Sequence, residues 1–482
     1  MERKNNNSDD AILTSNNEPL NKSTSISKFA FFAMTASLFL TVYEYPTFAQ
    51  SGKTLIFYLI LCGFFWFLPV SLCAAELATV KGYSDGGIFS WVGKPLGNSV
   101  GFAALFFQWF QITVGFVTMF YFIIGVLASV LDIPQLNEEP WIKFSLVFVF
   151  FWITTLLQFR GTSFTAKIVK YAFSFGIVLP VVALTVLAIY YFSKGNAVST
   201  NFTGVDFFPK DGSLAAMTAF VLTYMGVEAS APKAVGLKNF KRSYPLIMMS
   251  LVLVGVILCT LGGSIVAMVI EGEISSNEGL INAFRVLISP GKNSWMVIIA
   301  GLLICFGIFG QVSSWVIGPT SGLQYVAEQG YLPARFAKKN DKDVPTFILL
   351  IQGLIVTIWA AILTFGAGSS GGNISFQTAI SLTVVIYLSA YVLFFVAYFV
   401  VVFRHKDVAR DYVVPGGITG KIFFGGSGLV MSVLALYAAF SIPTSMSESE
   451  GKSYILILFC SFIATIIAPF IIYKFFNKKK VA

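Results

Sequence analysis

Charge is scarce in this 482-residue chain. Asp, Glu, Lys and Arg make up 11% of it, against roughly a quarter in soluble domains. Histidine occurs once, as His405 in the basic stretch RHKDVARD, which reads as a solvated loop. The five cysteines (Cys62, Cys73, Cys259, Cys305, Cys460) all fall in apolar runs. They read as small packing residues rather than a disulfide framework or metal site. No His/Cys/Asp group has metal-ligand spacing and no nucleophile stands beside a base, so no enzyme, metal centre or cofactor is expected. No cleavable signal peptide is expected either. The first 27 residues are polar, rich in Asn and Ser, and read as a disordered tail.

What the chain has instead is apolar surface. Hydrophobic residues make up 56%, there are 50 phenylalanines, and mean hydropathy is +0.79. One water-soluble core cannot hide that much, so the composition implies an all-α integral membrane protein. A spanning helix needs about 20 mostly apolar residues. Twelve candidate spans follow, at 29–50, 54–78, 100–131, 142–159, 168–192, 214–236, 245–270, 294–327, 346–366, 376–403, 422–442 and 453–476.

The distribution of cations orients these spans, because Lys and Arg collect in cytoplasmic loops. With both termini inside, 25 of the 32 basic residues fall on the inner side. Only Lys53, Lys143, Lys194, Lys210, Arg285, Lys292 and Lys452 stay outside. The expected placement is a bacterial inner membrane with cytoplasmic N and C termini. The net charge of +9 is then a topology signal scattered over short loops, not the single basic face that nucleic-acid binding needs. The Lys478–Lys480 tail can touch anionic membrane lipid.

Two spans carry a carboxylate and a helix breaker. In LTVYEYPTFAQSG, Glu44 sits two residues before Pro46; in YMGVEASAP, Glu228 lies between Gly226 and Pro232. An acidic residue at a helix centre costs roughly 2.5–3.5 kcal/mol on insertion scales. Broken backbone is tolerated in a membrane only where protein or a watery cavity satisfies it. Paired interruptions in corresponding spans of two halves point to the substrate site of an inverted-repeat transporter. Spans one and six are the first helices of two five-helix units, which is the required offset. Proline and glycine are also common in ordinary membrane helices, and either glutamate can orient backbone rather than touch substrate.

FFAMTAS (31–37), VYEYPTFA (42–49), LCAAELATV (72–80), GGIFSWV (86–92), YMGVEASA (224–231) and SSWVIGP (313–319) resemble motifs of the bacterial glutamate/GABA antiporter family, within the amino acid–polyamine–organocation superfamily. The resemblance runs from about Phe31 to Tyr473. It implies a LeuT-like fold of twelve transmembrane helices, with 5+5 inverted repeats and helices 1 and 6 discontinuous. The corresponding division is 1–27 tail, 28–192 first repeat, 214–403 second repeat, 421–476 helices 11 and 12, and 477–482 basic tail. It also implies exchange of an external amino acid for its decarboxylation product, in functional partnership with a separate cytoplasmic decarboxylase.

The candidate substrate-binding set is Tyr43, Glu44 and Tyr45 at the first break, Met225, Gly226, Val227, Glu228 and Ala229 at the second, Gln311, and Tyr387 with Tyr391. The last two lie four apart in TVVIYLSAYVLFF and so share a helix face. By sequence alone that pair reads equally as aromatic packing; the resemblance is what assigns it to the substrate site. Three departures from the family pattern matter, the first two for the substrate and the third against gating of the path by a tail at neutral pH. Gln311 stands where glutamate/GABA exchangers carry a glutamate. PKAVGLKN (232–239) replaces a polar segment with an Asn–Glu pair. The chain stops soon after Lys480, where those exchangers continue into a tail that can plug the path. The expectation is therefore tyrosine/tyramine exchange, with histidine/histamine or glutamate/GABA as alternatives. Aromatic neighbours could stack on a substrate ring or hold its ammonium. Proton-coupled uptake is a further alternative, with Lys170 as its candidate switch, although an interfacial lysine explains that residue too.

Overall fold

The computed structural model describes residues 27–83, 86–200, 208–209, 213–228, 237, 239–289, 294–366, 372–443 and 446–477. Among them the regular secondary structure is helical, with isolated bridge positions at Leu237 and, paired antiparallel, at Val80 and Arg410. In chain order the helices are α1 (Lys28–Phe39), α2 (Tyr45–Gln50), α3 (Thr54–Thr79), α4 (Ile88–Leu96), α5 (Asn98–Leu131), α6 (Pro140–Gln158) and α7 (Phe164–Ser193). The remainder are α8 (Met217–Leu222), α9 (Phe240–Val269), α10 (Gly279–Ile288), α11 (Trp295–Ile317), α12 (Thr320–Glu328), α13 (Thr346–Gly366), α14 (Gly372–Arg404), α15 (Gly417–Ala439) and α16 (Glu448–Phe476).

Among the described residues, ten helical stretches are long and apolar enough to cross a membrane, with α11 and α12 counted as one. The first and sixth expected spans are not among them. Residues 28–50 form two short pieces, α1 and α2, separated by irregular backbone at 40–44. In the sixth, a 3-10 helix at Ser213–Ala216 runs into short α8, which is followed by turns at 223–226. Sequence explains the first interruption. Pro46 has no backbone N–H and sits in the first turn of α2, where none is needed.

Helices α5 and α14 form the buried centre, and α14 packs along both α5 and α15. Helix α16 lies at the periphery and exposes most of its length, as expected of an apolar helix facing lipid. Short α2 is fixed from two sides. The ring of Tyr45 lies where a side chain at position 262 would be, 2.1 Å from a Cβ built there, so α9 needs Gly262 for this approach. At its other end, Gln50 Nε2 donates to the Ile274 carbonyl (2.7 Å) and to Ser276 Oγ (2.9 Å). The segment before α10 thus covers α2.

Candidate functional site

A cavity of about 500 Å³, counting space that opens outward, lies between the irregular 40–44 backbone, α5, the end of α8, α11 and α14. Tyr43, Glu44, Met225, Gln311 and Tyr387 from the candidate set line it, together with Phe39, Thr41, Gln111, Thr118, Thr223, Trp315 and Thr383.

The two glutamates have opposite environments. Glu228 is fully buried and fully engaged. Its Oε1 accepts from Gln108 Nε2 (2.8 Å) and from the Tyr387 hydroxyl; its Oε2 accepts from the Tyr391 hydroxyl. Tyr391 in turn accepts the Gly226 N–H at 3.0 Å. It therefore bridges two points of the turn after α8. Gly226 makes this turn possible: its φ is +97°, and a Cβ there would lie 2.5 Å from the Trp315 ring.

Glu44 is also buried, with only 1% exposure. Thr223 donates its hydroxyl to Oε2, but Oε1 has no hydrogen-bond partner among the described residues. An open carboxylate oxygen in a buried wall is costly unless a ligand donor meets it. Two more oxygens without a hydrogen-bond partner among the described residues line the same cavity, Gln311 Oε1 and Thr118 Oγ1. A wall with spare acceptors suits a ligand head with several N–H donors, such as an ammonium.

Several expectations need correction. Tyr45 does not line the cavity; it packs against Gly262 and Phe48. Gly226 and Val227 are not on the wall either: Gly226 supports the turn, and Val227 is fully buried beside it. Glu228 and Tyr391 act one layer behind the wall, clamping the turn. Ala229 lies outside the described residues. Gln311 serves a purpose a carboxylate could not, since its Nε2 donates to the Leu40 carbonyl (3.0 Å) in the interrupted segment. Lys170 is exposed on its helix, with the Tyr171 ring 6.0 Å away, and does not reach the cavity.

Sequence reasoning passed over Gln108, Gln111, Thr118 and Thr223. The two glutamines carried a usable signal: amides three apart in an otherwise apolar span face a neighbour or a cavity. The threonines carried none, because a hydroxyl in a membrane helix can bond its own backbone.

The family model described as amino acid permease matches residues 26–471. The chain is 48% identical over 460 residues to a glutamate/gamma-aminobutyrate antiporter of Lactococcus lactis subsp. lactis, covering 94% of this chain and 91% of that protein. It is 49% identical, at the same coverage, to the protein of the same name from Lactococcus lactis subsp. cremoris. It is 25% identical over 353 residues to a putrescine transporter of Haemophilus influenzae, covering 72% and 73% of the two chains.

Proposed function

This chain belongs to the amino acid permease family, and we propose that it is an antiporter exchanging external glutamate for internal GABA. It is a multi-pass membrane transporter, not an enzyme. The substrate pair follows the names of its Lactococcus relatives. The expectation of tyrosine and tyramine loses two of its supports; the third, PKAVGLKN (232–239), lies almost wholly outside the described residues. Gln311 is an amide because it holds the Leu40 carbonyl, so its difference from glutamate does not speak for an aromatic substrate. The tyrosine rings are also largely committed elsewhere, Tyr45 to Gly262 and the hydroxyls of Tyr387 and Tyr391 to Glu228.

One observation carries the site assignment: the unpartnered Oε1 of Glu44 in the cavity wall. Glutamate and GABA share an ammonium and a terminal carboxylate. In this reading the ammonium sits on Glu44, with Gln311 Oε1 and Thr118 Oγ1 as further acceptors. Both substrates then use one site, and loss of the α-carboxylate changes affinity modestly. Glu228, held by α5 and α14, keeps the turn after α8 in place beside it.

The reading includes twelve spans, with 28–50 and 214–236 as interrupted helices 1 and 6 of two five-helix repeats, and both termini cytoplasmic. It also includes a partner reaction. A separate cytoplasmic decarboxylase consumes one proton as glutamate (charge −1) becomes GABA (charge 0) and CO₂. Each exchange then moves one positive charge outward, worth about 2.3 kcal/mol per 100 mV. The cycle removes internal acid and builds membrane potential.

The test is labelled-glutamate uptake into vesicles containing the purified protein. Uptake that requires internal GABA and slows under an inside-negative potential supports exchange. Uptake into empty vesicles driven by a pH gradient alone would favour proton-coupled entry instead.

A further inference from the structure

The LCAAELATV stretch holds a third buried glutamate, far along α3 from the cavity. Glu76 has no exposed surface. Its Oε1 accepts from Arg410 Nη1 and Lys421 Nζ, each at 2.7 Å. Its Oε2 accepts from the Val414 N–H at 2.9 Å and the Tyr398 hydroxyl at 3.1 Å. These donors come from α14, the 405–416 connection and α15. The connection is also tied to the end of α3 by backbone: Lys81 N–H donates to the Ala409 carbonyl (2.9 Å), and Tyr412 N–H to Thr79 Oγ1 (3.1 Å).

A buried ion pair is weak evidence for stability, because desolvation offsets its attraction. Its best-attested use is to fix one register among several. The register at issue here is that of α14. Tyr387, Tyr391 and Tyr398 are spaced by four and seven residues and lie along one face of that helix. The first two hold Glu228 at the cavity and the third holds Glu76. At about 1.5 Å per residue the two clasps are roughly 10–16 Å apart along the axis. At the first clasp, Trp66 of α3 packs edge-on against Tyr391, with centroids 4.8 Å apart. Helix α3 therefore grips the tyrosine face of α14 twice, once by a ring and once by a carboxylate.

We propose that Glu76 is a positioning residue for transport: through Tyr398 it sets the axial register of α14, and so places Tyr387 at the substrate cavity and Tyr391 behind it, on Glu228. The inference rests on the exchange reading for its functional consequence, but its geometric part does not depend on any substrate. Removing the anion leaves Arg410 and Lys421 without it, so E76Q is paired with a milder variant, Tyr398→Phe, which deletes one hydroxyl and keeps the ring.

The experiment places cysteines at Gly115 of α5 and Thr383 of α14, where a Cβ on Gly115 would lie 3.6 Å from Thr383 Cγ2. Copper-phenanthroline oxidation of this pair in membranes reads the position of α14 without substrate. Adding E76Q or Tyr398→Phe is expected to slow the cross-link by about threefold or more. In the background without the added cysteines, the same variants are expected to raise the glutamate KM by about fivefold or more, with a smaller change in kcat. Cross-linking within about twofold of the parent in every variant that folds would overturn the proposal and leave Glu76 a local staple. Should E76Q fail to fold, Tyr398→Phe decides alone. Protein without the added cysteines that does not exchange glutamate for GABA would sink the exchange reading and leave the register claim to the cross-link.

Discussion

The Thr223 hydroxyl donates to Oε2 of Glu44, so the irregular 40–44 backbone is tied directly to the end of α8. The contact occupies one oxygen of the carboxylate and leaves the other for the cavity. Glu44→Gln keeps the shape and the Thr223 acceptor but removes the charge. A hydrogen bond to a charged group contributes about 1.5–3 kcal/mol, so KM for glutamate and for GABA is expected to rise by about 10- to 100-fold, with folded yield near wild type. Equal KM values in mutant and wild type would remove Glu44 from the site.

Tyr391 and Tyr387 separate clamping from contact. Tyr391→Phe deprives the Gly226 N–H of its acceptor and Glu228 of a donor. Each buried group left unsatisfied costs about 1–3 kcal/mol. The melting temperature of the purified protein is expected to fall by several degrees, and exchange to fall with it. Tyr387→Ala opens the cavity wall and takes one of three donors from Glu228, so transport weakens while folded yield stays near wild type. Tyr387→Ala protein that folds poorly but exchanges at full rate per folded molecule would contradict a site role.

Gly226→Ala tests the turn itself. The new Cβ meets both a positive φ and the Trp315 ring, with overpacking alone costing about 1–3 kcal/mol. Exchange per folded protein is expected to drop at least about tenfold. Shortening Trp315 in the same background relieves the ring contact but not the backbone, so it restores little. Full recovery would show that φ at this position is unimportant.

Outside the membrane-spanning helices, Glu278 precedes α10 and accepts from Asn137 Nδ2 at 2.7 Å. Burial holds its carboxyl above the ordinary glutamate range, opposed chiefly by that amide. A carboxyl raised in the folded state stabilises the fold below its ordinary pKa, and that contribution is lost as pH rises through the raised value. Glu278→Gln does not titrate. The melting temperature of wild type is therefore expected to fall relative to Glu278→Gln as pH rises upward from the ordinary glutamate range. A difference that does not change with pH would contradict the assignment.

The interruption at 40–44 was readable, because a carboxylate beside Pro46 in an apolar run costs too much in lipid to be incidental. Which face each residue presents was not. Helix α2 has six residues, fewer than two turns, and its orientation is set by Gly262 and the Gln50 bonds, which are distant in sequence. Tyr45 was misplaced for that reason. Glu44 and Glu228 looked equivalent until their partners were known. The partners Thr223 and Gln108 are chosen by how α8 and α5 meet the rest of the bundle, a relation no local pattern encodes. Gln311 misled because an amide that serves backbone and an amide that selects substrate are the same letter.

The most direct test of the account is counterflow in vesicles holding the purified protein, loaded with GABA or tyramine in parallel and offered labelled glutamate or tyrosine outside. The account predicts that internal GABA drives glutamate uptake and that internal tyramine drives tyrosine uptake weakly or not at all. Rapid tyrosine uptake into tyramine-loaded vesicles, with no glutamate entry into GABA-loaded ones, would contradict it.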